Sequence, residues 1–189
     1  LGTTEIQDQV RREVLQPMVD AMARLGSPFQ GVLYAGLMMM DGTPYVLEFN
    51  ARMGDPETQV VLPLLKNDFV DVLEAVIEHR LDQLPVEWYS DATVCVVMAS
   101  GGYPGTYQQG IPLSGLPTAT TLSDSSMVFH AGTVQRGKEI VTAGGRVRGV
   151  LGRGRTLLEA QGEAYRVAKT ISFEGCHFRT DIARRALKT

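Results

Sequence analysis

An α+β chain is what the sequence predicts, with helices and an antiparallel hairpin in its first half and a small, β-rich, barrel-like module in its second. Three observations carry this. Apolar residues recur at helical spacing near the start and again after residue 67. Two short apolar runs, "GVLYAGLMMM" and "PYVLEFNAR", flank the turn signal "DGT". Glycines gather in the second half, in "GGYPG", "HAGT", "GGRV" and "GRGR", as tight turns between short strands require.

From Thr4 to Leu25 the residues Ile6, Val10, Val14, Met18 and Met22 form the stripe of an amphipathic helix, with Gly26 suited to its C-terminal cap. Pro17 lies inside that pattern and predicts a kink or two shorter helices. After the hairpin, "GDPETQ" reads as a helix start with Asp55 as N-cap, Pro56 at the first helical position and Glu57 favouring the dipole. The N–H groups of that helix offer an anion site. Asn67 is placed to cap the next helix, whose buried face is read as Phe69, Val72, Leu73, Val76 and Ile77. "LDQLPVEWYSD" has a proline and no period, so a boundary is set between Leu84 and Ser90, giving domains 1–86 and 87–189. A last helix carries Leu157, Leu158, Ala164, Tyr165 and Ala168 at helical intervals, with Gly162 as a weak point.

The 189 residues are 44% hydrophobic and 21% charged, with a formal net charge of -3, so a core is affordable and no global basic field exists. That argues against nucleic acid or an anionic membrane as the main partner. No apolar run approaches the roughly 18 residues a membrane span needs. The two cysteines, Cys95 and Cys176, fit no zinc or redox spacing, which points to a reduced, cytoplasmic setting. The chain begins with Leu and is expected to be a fragment.

Within "YVLEFNARMGDPETQVV", Glu48, Asn50 and Arg52 alternate along one strand face, with Leu47, Phe49 and Ala51 expected to pack behind. A carboxylate and an amide carbonyl are hard oxygen ligands, and Mg²⁺ is commonly held by one or two such groups together with phosphate oxygens and waters. Arg52, one step along the face, has the rigid fork that grips phosphate or carboxylate. The bland alternative is a solvated sheet face with a salt bridge. The glycine clusters lack the lysine and hydroxyl residue of a P-loop and are read as turns. His130 and His177 have no partners at metal-ligand spacing and are read as structural. "GRVRGVLGRGR" is locally basic and suited to steering anions, or to a solvated turn.

"GVLYAGLMM", "VLEFNARMGDPETQVVLPLLKNDF", "VVMASGGYPG", "VFHAGT", "GGRVRGV" and "FRTDIA", in this order, resemble the C-terminal half of the phosphoribosylamine–glycine ligase family of the ATP-grasp superfamily. The resemblance covers nearly the whole chain. It implies the C-terminal half of an ATP-grasp domain followed by a small hybrid-motif domain. The implied reaction joins glycine to 5-phosphoribosylamine with ATP cleavage through a glycyl phosphate, a step of purine biosynthesis. Glu48 and Asn50 are then the ligands of Mg²⁺ or Mn²⁺, and Arg52 and Asp55 the catalytic residues, with Arg52 also on the nucleotide phosphates. Residues Asp55, Pro56, Glu57, Thr58 and Gln59 are expected to contact glycine or phosphoribosylamine, and Leu37 to line the adenine pocket or simply the core. The strand Gly31 to Met40 lacks the further acidic ligand that many ATP-grasp enzymes carry there. An N-terminal half of the same enzyme is the implied partner. Two alternatives stand beside this reading: another ATP-grasp carboxylate–amine ligase, and a non-catalytic module that keeps the fold.

Overall fold

The computed structural model describes residues 3–115 and 123–187. The chain forms two compact units, one of residues 1–55 with 65–88, the other of residues 56–64 with 89–189.

The first unit opens on α1 (Thr4–Val10), a π-helical stretch Arg11–Leu15 and α2 (Gln16–Arg24). Thr3 caps α1 by accepting from the Ile6 N–H. The segment forms two short α-helices, as Pro17 led one to expect, but joined without a gap by the π-helical stretch. Proline has no N–H to donate and its ring crowds the carbonyl four residues back. The turn before it therefore widens, and Gln16 N–H reaches the Arg11 carbonyl. Gly26, at φ 77°, ends the rod as expected, with Ser27 N–H donating to the Met22 carbonyl.

The hairpin follows as β1 (Tyr34–Met40) and β2 (Thr43–Asn50), antiparallel. Asp41 and Gly42 have φ of 48° and 79°, the pair of positive values a two-residue type I′ turn needs. The register is interrupted between Gly36 and Leu37, leaving Leu47 as the extra residue of a β-bulge beside Glu48. α4 (Phe69–Ile77) completes the unit, together with the segment up to Trp88. Its N-cap is Asp68, which accepts from Val70 N–H at 2.8 Å. Asn67, expected to cap, instead accepts from Glu87 N–H at 2.7 Å and donates to the Pro85 carbonyl at 3.0 Å, fastening the linker-like stretch. Ala75 is the fully buried residue of α4, while Leu73 and Ile77, expected on the buried face, are exposed.

The second unit is built on a three-stranded antiparallel sheet, β3 (Ala92–Ala99), β7 (Arg146–Gly154) and β4 (Ser126–His130), with β7 in the middle. A hairpin of β5 (Thr133–Arg136) and β6 (Glu139–Thr142) stands beside it. Among the described residues the sheet is open, so the barrel-like expectation is not met by a closed barrel. α5 (Leu157–Ala168) starts in a capping box between Thr156 and Glu159 and packs on β7 and β3. The core is Val94, Val96, Met98, Val150, Ala160, Ala164, Val167 and Ala168. α5 meets the sheet through alanines because Gly152 and Gly154 let its backbone come in close, and Leu158 points out.

The short α3 (Glu57–Val61) and a 3₁₀ turn, Leu62–Leu64, are tied into this same unit. Thr93 Oγ1 donates to the Val60 carbonyl at 2.8 Å and Tyr89 N–H to the Leu64 carbonyl at 2.7 Å. Arg153 pairs with Asp91 at 2.6 Å, lies 4.3 Å over the Tyr89 ring and donates to the Pro63 carbonyl at 3.3 Å.

Glu163 of α5 accepts from Arg166 at 2.7 and 2.8 Å and from Ser123 Oγ at 2.7 Å. The Arg166 guanidinium first, helped by Ser123, holds its carboxyl at about 2 against an ordinary 4.5. A depressed carboxyl contributes stability above its unfolded pKa and loses it as pH falls through the folded one. Glu163→Gln is therefore expected to destabilise the chain by about 1 kcal/mol at neutral pH. The difference should close as pH drops from 4.5 towards 2, read from denaturant midpoints at each pH.

Candidate active-site strand

β2 delivers Glu48 and Asn50 to the same side, as alternation requires. The Asn50 amide nitrogen donates to Glu48 Oε1 at 3.0 Å, so the two groups are held together. An amide that donates through nitrogen keeps its oxygen for a cation. Glu48 is exposed and Asn50 half-buried, so both can meet a ligand. Opposite Glu48 in the register stands Gly36, where a Cβ would lie 3.0 Å from Glu48 Cγ. The carboxylate thus lies across the bare glycine, and any larger residue at 36 would displace it. Sequence reading passed over Gly36, although a glycine inside an apolar strand is a signal of close approach.

The flanking residues are less covered than expected. Leu47 is 66% exposed and Ala51 is exposed as well, because a two-stranded sheet offers them nothing to pack on among the described residues. Arg52 is exposed, and its Nη1 donates to the Met53 carbonyl at 2.9 Å, which anchors one arm of the guanidinium at the strand's end. Leu37 is half-buried, at the bulge and opposite Val46. Asp55 is exposed at the last position of the first unit's leading segment.

In the second unit, Pro56 occupies the N-cap position of α3, which has no side-chain cap, so the helix starts one residue later than the Asp55-capped reading. With five residues, α3 has too little aligned backbone for the helix-end anion site expected there. Pro56 and Glu57 line a hollow of about 270 Å³ with Val60, Thr93, Val94 and Cys95. Thr58 is half-buried, and its carbonyl accepts from Leu62 N–H. Gln59 is half-buried over β7, its Cγ 3.9 Å from where a Cβ at Gly149 would stand.

The structure thus brings Glu48, Asn50 and Gly36 into one cluster and places Pro56 to Gln59 on the other unit. A two-oxygen set of carboxylate and amide suits a Mg²⁺ or Mn²⁺ ion that takes its other ligands elsewhere. Among the described residues no group of three or more His, Cys, Asp or Glu is placed to hold a metal by itself. No helix among them is long and apolar enough to cross a membrane.

Comparison with known proteins bears on the same segments. The family model described as phosphoribosylglycinamide synthetase, ATP-grasp (A) domain, matches residues 1–58, and that of the C domain matches residues 93–185. Phosphoribosylamine–glycine ligase of Caldanaerobacter subterraneus is 47% identical over 93% of this chain and 41% of its own length. The trifunctional purine biosynthetic protein adenosine-3 of Gallus gallus is 48% identical over 95% of this chain and 18% of its own. The crystal structure of phosphoribosylamine–glycine ligase from Thermotoga maritima superposes with a TM-score of 0.80 at 33% identity, covering 96% of this chain and 44% of that one. The chain therefore spans about two fifths of the length of the single-function relatives it matches. With both family models matched in order and the fold reproduced, the chain belongs to the phosphoribosylglycinamide synthetase family, its residues 1–58 answering to the A domain and 93–185 to the C domain.

Proposed function

We propose that this chain forms the metal- and phosphate-facing wall of a cytoplasmic ligase that joins glycine to 5-phosphoribosylamine at the expense of ATP. The observation that carries it is the Glu48–Asn50 pair, two hard oxygen donors hydrogen-bonded side by side on an accessible strand face. When bound, Mg²⁺ or Mn²⁺ supplies charge neutralisation across the triphosphate. Glu48 and Asn50 would hold that ion. Leu37 offers an apolar, half-buried surface on β1 that suits the adenine ring.

The chemistry asks for alignment and charge stabilisation rather than a nucleophile from the protein. The glycine carboxylate attacks the γ-phosphorus, ADP leaves, and the amine of phosphoribosylamine then displaces phosphate from the glycyl phosphate. Arg52 gives bidentate N–H donors to the oxygens that gain charge in both steps. Asp55, Pro56, Glu57, Thr58 and Gln59 provide the polar and shape contacts for glycine and phosphoribosylamine, with Asp55 orienting the amine. Exposed Met38, Met40, Tyr45, Val46 and Leu47 on the hairpin support a further polypeptide, the rest of the same enzyme, as the partner that covers this sheet.

The test is phosphate release by the chain supplied with a complementary polypeptide carrying the rest of the relatives' length, with ATP, Mg²⁺, glycine and phosphoribosylamine. Release that needs glycine supports the reading. Release with a different carboxylate, or none from a folded complex, overturns it. Arg52→Lys in the same assembly is expected to lose about 100-fold or more in kcat with little change in KM, since an ammonium cannot reproduce the fork.

A further inference from the structure

The glycine-rich turns of the second unit left out of that reading meet at one end of its sheet. Ser100 N–H donates to the Gly145 carbonyl at 2.8 Å and Ser100 Oγ to the Gly144 carbonyl at 2.9 Å. Gly132 N–H donates to the Arg146 carbonyl at 2.7 Å, and a Cβ at Gly132 would lie 2.6 Å from Gly144 Cα. The turns after β3, after β4 and before β7 are thus packed backbone to backbone. Arg148 lies just inside this junction, paired across the sheet with Met98 on one side and His130 on the other.

Arg148 is 2% exposed, and its Nε and Nη2 have no hydrogen-bond partner among the described residues. These two N–H groups share one edge of the guanidinium and point in parallel, which is the edge that binds an oxyanion side-on. Burial lowers the arginine's pKa with no carboxylate acting the other way, and its charge helps hold the neighbouring His130 below the usual histidine range, after burial as the main cause. His130 Nδ1 is hydrogen-bonded to Thr133 Oγ1 at 2.7 Å, which fixes the ring beside the arginine's strand. A buried cation without a counter-charge is among the costliest things a core can hold. The backbone and the Ser100 hydroxyl at this junction are hydrogen-bonded, while the Nε–Nη2 edge of Arg148 has no acceptor among the described residues.

We propose that Arg148 anchors a binding site for a small oxyanion, a carboxylate or phosphate group held along the Nε–Nη2 edge where the three glycine turns meet. The site belongs wholly to the second unit and stands independently of the ligase reading. A group bound there supplies the missing counter-charge and ties the three turns together.

Thermal unfolding of the full chain tests this, in sodium phosphate, sodium acetate and sodium chloride at matched ionic strength. The wild type is expected to gain about 2–4 °C, saturably, in phosphate or acetate over chloride. Phosphate alone acting assigns a phosphate group; acetate alone assigns a carboxylate. Arg148→Met is expected to lose the response while melting higher than wild type in chloride, because an apolar side chain replaces an unpaired charge. Arg148→Lys, which keeps the charge without the fork, is expected to lose most of it, and decides the matter should the methionine variant fail to fold. A wild type indifferent to both anions, or a response that survives at full size in the variants, overturns the site.

Discussion

Glu48→Gln, in the chain assembled with the rest of the enzyme, is expected to lower glycine-dependent phosphate release by at least about 100-fold at limiting Mg²⁺. The substitution removes one negative charge and almost no volume, and Glu48 is exposed, so the fold should not register it: the melting midpoint is expected to stay within the small range typical of surface changes. Its carbonyl oxygen can still accept from the Asn50 amide, so the pair stays together while one charge and one of the two carboxylate oxygens are lost to the cation. Raising Mg²⁺ should recover part of the rate, since the oxygen that remains is a weaker ligand rather than none. Unchanged activity at limiting Mg²⁺ would contradict the ligand assignment, and a collapsed midpoint would show that Glu48 is structural.

A large effect on folding is expected from Gly152→Ala. A Cβ at Gly152 would stand 2.2 Å from the Ala160 carbonyl oxygen and 2.3 Å from the Ala164 nitrogen, both backbone atoms of α5. Helix backbone cannot step aside as a side chain would. α5 is fixed at its start by the capping box and along its length by buried Ala160, Ala164, Val167 and Ala168. Overpacking of that kind is expected to cost about 3 kcal/mol, or about 6–12 °C in the midpoint. Gly162→Ala on the same helix meets nothing within 4 Å, and is expected to stabilise by up to about 1 kcal/mol. The two alanine variants together separate steric contact from helix propensity, and a small effect at 152 would mean that α5 does not sit on β7 as described.

The hairpin was legible because "DGT" between two apolar runs leaves few alternatives, and the order of motifs across the chain made the family legible too. The alignment of Glu48 with Asn50 followed from strand alternation alone. What sequence could not show was set by tertiary contact. The π-helical turn at Arg11–Leu15 is a compromise between a proline and a continuous helix, and either outcome fits the residues. Asn67 and Asp68 are equally good caps on paper, and the choice went to Asp68 because Glu87 and Pro85 claim Asn67. Leu47, Leu73 and Ile77 have the spacing of buried residues but are exposed, since periodicity says which face is apolar and not whether anything covers it. Gly36 went unread because its importance lies across the sheet, in the carboxylate opposite.

Most direct of all is a titration of Mn²⁺, followed by its electron paramagnetic resonance signal, into the assembled protein with and without ATP. One ion is expected to be held tightly only when nucleotide is present, with affinity falling about 10- to 100-fold in Glu48→Gln and in Asn50→Ala. Equal Mn²⁺ affinity in wild type and both variants would contradict it.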